Sequence, residues 1–62
     1  MTEDEAKAEA IRRWNALPED ERQTRDQAAE FALKITPHLV YAGNGNPYQE
    51  IKRWLFAEMR GR

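Results

Sequence analysis

No cysteine and no serine occur in these 62 residues, and histidine occurs once, at His38. The missing cysteines exclude disulfides and thiolate metal sites. A core without such staples suits a reducing compartment, so the chain is expected to be cytoplasmic. The three scarcities together remove the usual nucleophile and base pairs, because Ser-His and Cys-His chemistry needs partners this sequence does not contain. Long apolar runs are absent too. None approaches the roughly 18 residues of a membrane span, and the start, Met1-Thr2-Glu3-Asp4-Glu5, is acidic where a secretory leader is basic and then apolar. No charge sign is in large excess: ten Lys and Arg against eleven Asp and Glu give a net charge of -1. Dedicated nucleic-acid binders usually carry a basic surplus.

What is present is enough for one small domain spanning residues 1–62. A chain of this size buries only about 60% of the surface its unfolded form exposes, so its few large apolar groups must be concentrated. Two Trp, two Phe, three Ile and four Leu supply that bulk. The near-neutral total hides an asymmetry: residues 1–33 hold nine acids and five bases, and residues 34–62 two acids and five bases.

Three helix starts follow from one device, a side-chain acceptor at the N-cap with Glu or Gln three residues later reaching back to it. The pairs are Thr2 with Glu5, Thr24 with Gln27, and Asn46 with Gln49, the last reinforced by Pro47 at the first helical position. The spacing predicts an all-α three-helix bundle with helices at about 3–17, 25–35 and 47–60. The first carries Ala6, Ala10, Ile11, Trp14 and Leu17 on one stripe, with Glu3–Lys7 and Glu9–Arg13 pairs on its solvent side. Pro18 stops it, and Glu19-Asp20-Glu21 suit a short helical turn of their own. The second presents Ala28, Ala29, Phe31, Ala32, Leu33 and Ile35 over roughly 200° of its circumference. A face that wide implies two neighbours and a central place in the bundle, with Trp14 filling the space its alanines leave. Thr36 before Pro37 ends it. Residues 37–46 read as an irregular loop, with Leu39 and Val40 tucked into the core. A hairpin at Asn44-Gly45 would return into Asn46-Pro47-Tyr48, which is too short and too proline-bound to be a strand. The third helix aligns Tyr48, Ile51, Trp54, Leu55 and Met59, and Gly61 stops it. Phe56 falls outside this stripe, between Lys52, Arg53 and Arg60, and so breaks a plain amphipathic pattern.

Each candidate place for chemistry has a simpler explanation. His38 follows Pro37 at a helix exit, where a loop histidine bonding a free carbonyl is commoner than a lone general base. Glu5 with Glu9, and the cluster Glu19-Asp20-Glu21, are acids of the kind helix starts favour, without the cleft that separates the pKa values of a catalytic pair. One histidine and scattered acids give no metal-ligand spacing, so no metal and no cofactor are expected. Gly43-Asn44-Gly45-Asn46-Pro47 leads into a helix N-terminus, as an anion site would, yet it lacks the preceding strand and the Gly-Lys-Ser/Thr of phosphate loops. Turn and cap chemistry accounts for it. The remaining oddity is the surface of Lys52, Arg53, Phe56 and Arg60. An aromatic ringed by cations suits a docking contact, unless the loop at Leu39 to Tyr41 covers Phe56.

The constellation Trp14, Leu17-Pro18, Arg22, Thr24, Gln27-Ala28, Phe31-Ala32, Tyr48-Gln49, Ile51 and Trp54-Leu55 resembles short bacterial proteins of unknown function. That resemblance implies a compact helical protein and supplies no activity or ligand. The expectation is therefore a small helical interaction module, not an enzyme. It would meet a protein partner or a second copy through the third helix and the 37–46 loop. The alternative, a helix-turn-helix-like nucleic-acid binder using the third helix, conflicts with a connection of about ten residues where that motif uses three or four.

Overall fold

A computed structural model describes residues 1–41, 43 and 45–61. Each predicted N-cap residue is in place, but of the three predicted reciprocal pairs only the first two form, since Gln49 does not reach back to Asn46. Thr2 Oγ1 accepts from the Glu5 N–H at 3.1 Å while Glu5 accepts from the Thr2 N–H at 2.7 Å, which opens α1 (Glu3–Asn15). Thr24 and Gln27 repeat this reciprocal pair at the head of α2 (Arg25–Ile35). Asn46 Oδ1 accepts from the Tyr48 and Gln49 N–H groups, and Pro47 begins α3 (Pro47–Arg60). A 3-10 turn at Glu19–Glu21 joins α1 to α2, and another at Thr36–His38 follows α2. Gln27 braces the first turn from α2: its carbonyl accepts from both the Gln23 and Thr24 N–H groups, and its amide donates to the Asp20 carbonyl.

α1 is two residues shorter than expected, because Leu17 precedes Pro18 and is steered away from helical angles. The carbonyl this frees is not wasted: Leu17 O accepts from Arg22 Nε at 2.9 Å.

The core is the contact of three faces. Ala6, Ala10, Ala28 and Ala32 are completely buried, and their small side chains make room for Trp14, Ile51 and Leu55, the largest fully buried groups. Trp14 lies beside α2 as expected, its ring 5.6 Å from that of Phe31 at a tilt of 54°. Ile35 and Leu39 close the far end. The result measures 31 × 20 × 17 Å. Among the described residues there is no strand, and no helix is long and apolar enough to cross a membrane.

The packing order corrects one expectation. The central element is α3, which lies along both α1 and α2, whereas α1 and α2 meet only briefly. The apolar face of α2 therefore finds one full neighbour instead of two. Ala28, Ala32 and Ile35 are buried, but Leu33 on the outer edge of that face remains 65% exposed. Val40, placed in the core by the sequence pattern, is 78% exposed; only Leu39 turns inward. The two loop residues point opposite ways because the backbone after His38 is extended enough to alternate them.

Candidate interaction surface

α3 divides its surface in two. On one flank stands Trp54, whose ring lies 5.7 Å from Tyr41 of the loop. The Tyr41 hydroxyl donates to the Glu50 carboxylate at 3.1 Å, which fastens residues 39–41 to the first turns of α3. Burial, and then the hydrogen bond to Glu50, push the Tyr41 phenol up to about 12. The glycines after it serve this latch. A Cβ on Gly43 would come within 2.8 Å of the Tyr41 ring, and Gly45 takes a φ of +99° that side-chain-bearing residues rarely adopt.

The loop thus covers Trp54 and leaves Phe56 on the other flank. This overturns the idea that Leu39 to Tyr41 shield Phe56. Instead, Arg25 at the start of α2 reaches across, its guanidinium carbon 5.3 Å from the Phe56 ring centre. One turn earlier on α3, Lys52 folds back so that Nζ lies 4.9 Å from the Tyr48 ring centre. Phe56 is half-buried, resting against the core on one side, and Lys52 is half-buried with it. Arg53 and Arg60 are exposed beside them. The structure thus brings all four predicted residues to one side of α3 and adds Arg25 and Tyr48. The Tyr48–Lys52 spacing of four was visible in the sequence; the reach of Arg25 from another helix was not.

No protein-family model matches this chain. Neither a curated protein nor a solved structure is similar to it at a significant level.

The other candidate sites resolve as structural groups. Glu5 is held below its ordinary range by the Thr2 backbone N–H and then the Thr2 hydroxyl, as a capping acid should be. Glu9 binds Arg12 and Arg13, each at 2.6 Å, and these hydrogen bonds lower its carboxyl to about 2. Among the described residues the ion pairs all involve Glu9, so the expected Glu3–Lys7 pair is not formed. His38 is exposed at the end of its turn, and no group of three or more metal-ligating side chains occurs among the described residues. In the glycine segment, Asn44 lies outside the described residues. Around it, Asn46 has already taken the helix N–H groups and Glu50 brings a negative charge close to Gly45, so an anion is disfavoured there. Two surface depressions hold about 140 and 210 Å3, short of the roughly 300–1,000 Å3 in which small ligands are enclosed. The larger is lined by Trp14, Glu19, Arg22, Gln23 and Met59 and brings no nucleophile to a base.

Proposed function

We propose that this chain is a small helical interaction module that docks through the Phe56 flank of α3 and carries no catalysis of its own. The observation supporting this most directly is that Phe56, though packed against the core, keeps part of its ring at the surface beneath Arg25, on the side of α3 that carries Lys52, Arg53 and Arg60. A chain this short needs its large apolar groups inside, so an aromatic left partly at the surface forgoes some of the burial that folding alone would use. A partly exposed ring under cations supplies what an interface centre requires, apolar area with a charge rim. A partner with exposed carboxylates beside apolar groups is its complement.

The test is to compare what wild type and a Lys52→Ala, Arg53→Ala, Arg60→Ala triple variant capture from the source cell. Capture by wild type that the variant loses supports the docking surface. Equal capture by both contradicts it. Duplex DNA added at about 50 mM salt, where phosphate contacts are strong, is expected to shift no α3 amide signals. The segment between α2 and α3 runs from 36 to 46, longer than the turn of a helix-turn-helix.

A further inference from the structure

We infer that the larger of the two surface depressions, between the end of α1, the Glu19–Glu21 turn and the end of α3, binds a small zwitterion of the α-amino-acid class. The site shares no residue with the Phe56 flank and is independent of the docking function proposed above.

Trp14 forms the floor of this depression. It is the largest core side chain and only 1% exposed, yet its indole N–H has no acceptor among the described residues. No side-chain nitrogen or oxygen among them is both sealed from solvent and unpartnered, so the sliver of Trp14 that reaches the surface includes Nε1. An indole N–H can only donate, and it usually finds a partner when its ring is buried. Here that partner has to come from outside the chain.

Two opposite charges line the same depression without closing on each other. Glu19 and Arg22 are three residues apart across the 3-10 turn, a spacing at which side chains eclipse. They nevertheless form no ion pair. Arg22 Nε is held instead by the Leu17 carbonyl, which the break at Pro18 left free. The other guanidinium N–H groups have no acceptor among the described residues. Gln23 donates its amide to the Glu19 carbonyl and brings its own carbonyl oxygen to the rim, while Met59 supplies an apolar wall.

These groups fit one kind of occupant. A carboxylate is received by the Trp14 N–H and the Arg22 guanidinium, and an ammonium by Glu19, with Asp20 and Glu21 exposed beside it. A carboxylate alone would also meet the repulsion of those three acids. An amine alone would leave the indole N–H and the guanidinium unmet. A molecule with both charges satisfies each end. The volume of about 210 Å3 has room for about seven waters and so for a compact molecule with a short aliphatic side chain against Met59. Because Glu19 and Gln23 stand exposed at the rim, the occupant stays partly in solvent, and the affinity is weak, about 1 mM.

The experiment is an NMR titration of the isotope-labelled full chain with L-alanine to about 20 mM near pH 7, following the indole N–H signals of Trp14 and Trp54. A Trp54→Phe variant assigns them. Sodium acetate and methylamine hydrochloride, at matched ionic strength, supply each charge alone. The Trp14 signal is expected to shift saturably with alanine, and the Trp54 signal to stay in place. Acetate and methylamine are each expected to bind at least about tenfold more weakly. Glu19 is exposed, and its carboxylate makes no hydrogen bond or ion pair among the described residues. Glu19→Gln should therefore keep the circular dichroism of wild type while its alanine affinity falls about tenfold. The inference is overturned by the absence of a saturable Trp14 shift, by equal shifts at both indoles, or by a Glu19→Gln variant that binds alanine as wild type does. Acetate binding as tightly as alanine overturns it as well, since the site would then be one for anions.

Discussion

Replacing Phe56 with Ala should cost less than truncating a fully buried core residue, because part of the ring remains at the surface. Full burial of a large apolar side chain contributes about 1.5–3 kcal/mol, and the partial burial of Phe56 therefore about 1–2 kcal/mol. The Arg25 guanidinium above the ring adds about 0.5–1 kcal/mol, as exposed cation–π contacts do. The expected loss for Phe56→Ala is thus about 1.5–3 kcal/mol. Leu55→Ala, at a position with no exposed surface, is expected to cost about 2–5 kcal/mol, mostly through the cavity it leaves. A 62-residue domain holds only about 3–9 kcal/mol in total, so the first variant should fold and the second should be marginal. Urea unfolding followed by circular dichroism measures both, at micromolar protein so that self-association does not contribute. Adding Arg25→Ala separates the terms: the double-mutant cycle should give a coupling of about 0.5–1 kcal/mol. A cost for Phe56→Ala below about 0.5 kcal/mol would mean the ring makes no core contact, and a cost equal to that of Leu55→Ala would mean it has no surface role. Either result refutes the division of α3 into a core face and a docking flank.

Gln27→Ala should destabilise more than Glu5→Ala, although both occupy the same cap position, because Gln27 also serves the Gln23 N–H and the Asp20 carbonyl. The expected cost is about 1–2 kcal/mol by thermal or urea unfolding, and Gln27→Glu should recover only part of it, since a carboxylate cannot donate to Asp20. Glu9 ionises more readily in the folded chain than in the unfolded one, so its contribution is complete above the ordinary carboxylate range near 4.5 and is lost as pH falls toward about 2. In a Glu9→Gln variant the stability profile over that window should be flatter. Tyr41 shifts the other way: its neutral form is favoured in the fold, so its contribution is intact below the ordinary phenol value of 10 and disappears as pH rises toward about 12. Ultraviolet titration of the phenols should show a step near 12 that Tyr41→Phe removes.

The helices were legible in the sequence because their caps are local chemistry. Thr2, Thr24 and Asn46 need only the next few residues to do their work, and α2 and α3 run over the expected residues. Side-chain direction at the edges was not legible. The pattern Ala28-Ala29-Phe31-Ala32-Leu33-Ile35 records that α2 has a wide apolar face, but not how many neighbours this chain supplies to cover it. Leu33 is exposed for that tertiary reason alone. Likewise the sequence placed Phe56 among Lys52, Arg53 and Arg60, which the structure confirms as one side of α3, whereas which element crossed the ring depended on the packing of α2 against α3. The loop was misjudged at Val40 because alternation along an extended segment sends only one of two adjacent apolar residues inward.

The central claim, that the chain docks through the Phe56 flank, is tested most directly inside the source cell. A photoreactive phenylalanine analogue is placed at position 53, beside Phe56 and exposed, and in a separate chain at position 8, exposed on α1. Irradiation should link position 53 to another polypeptide, a second copy included, and leave position 8 unlinked. Equal linking at both positions, or none at 53, contradicts the account.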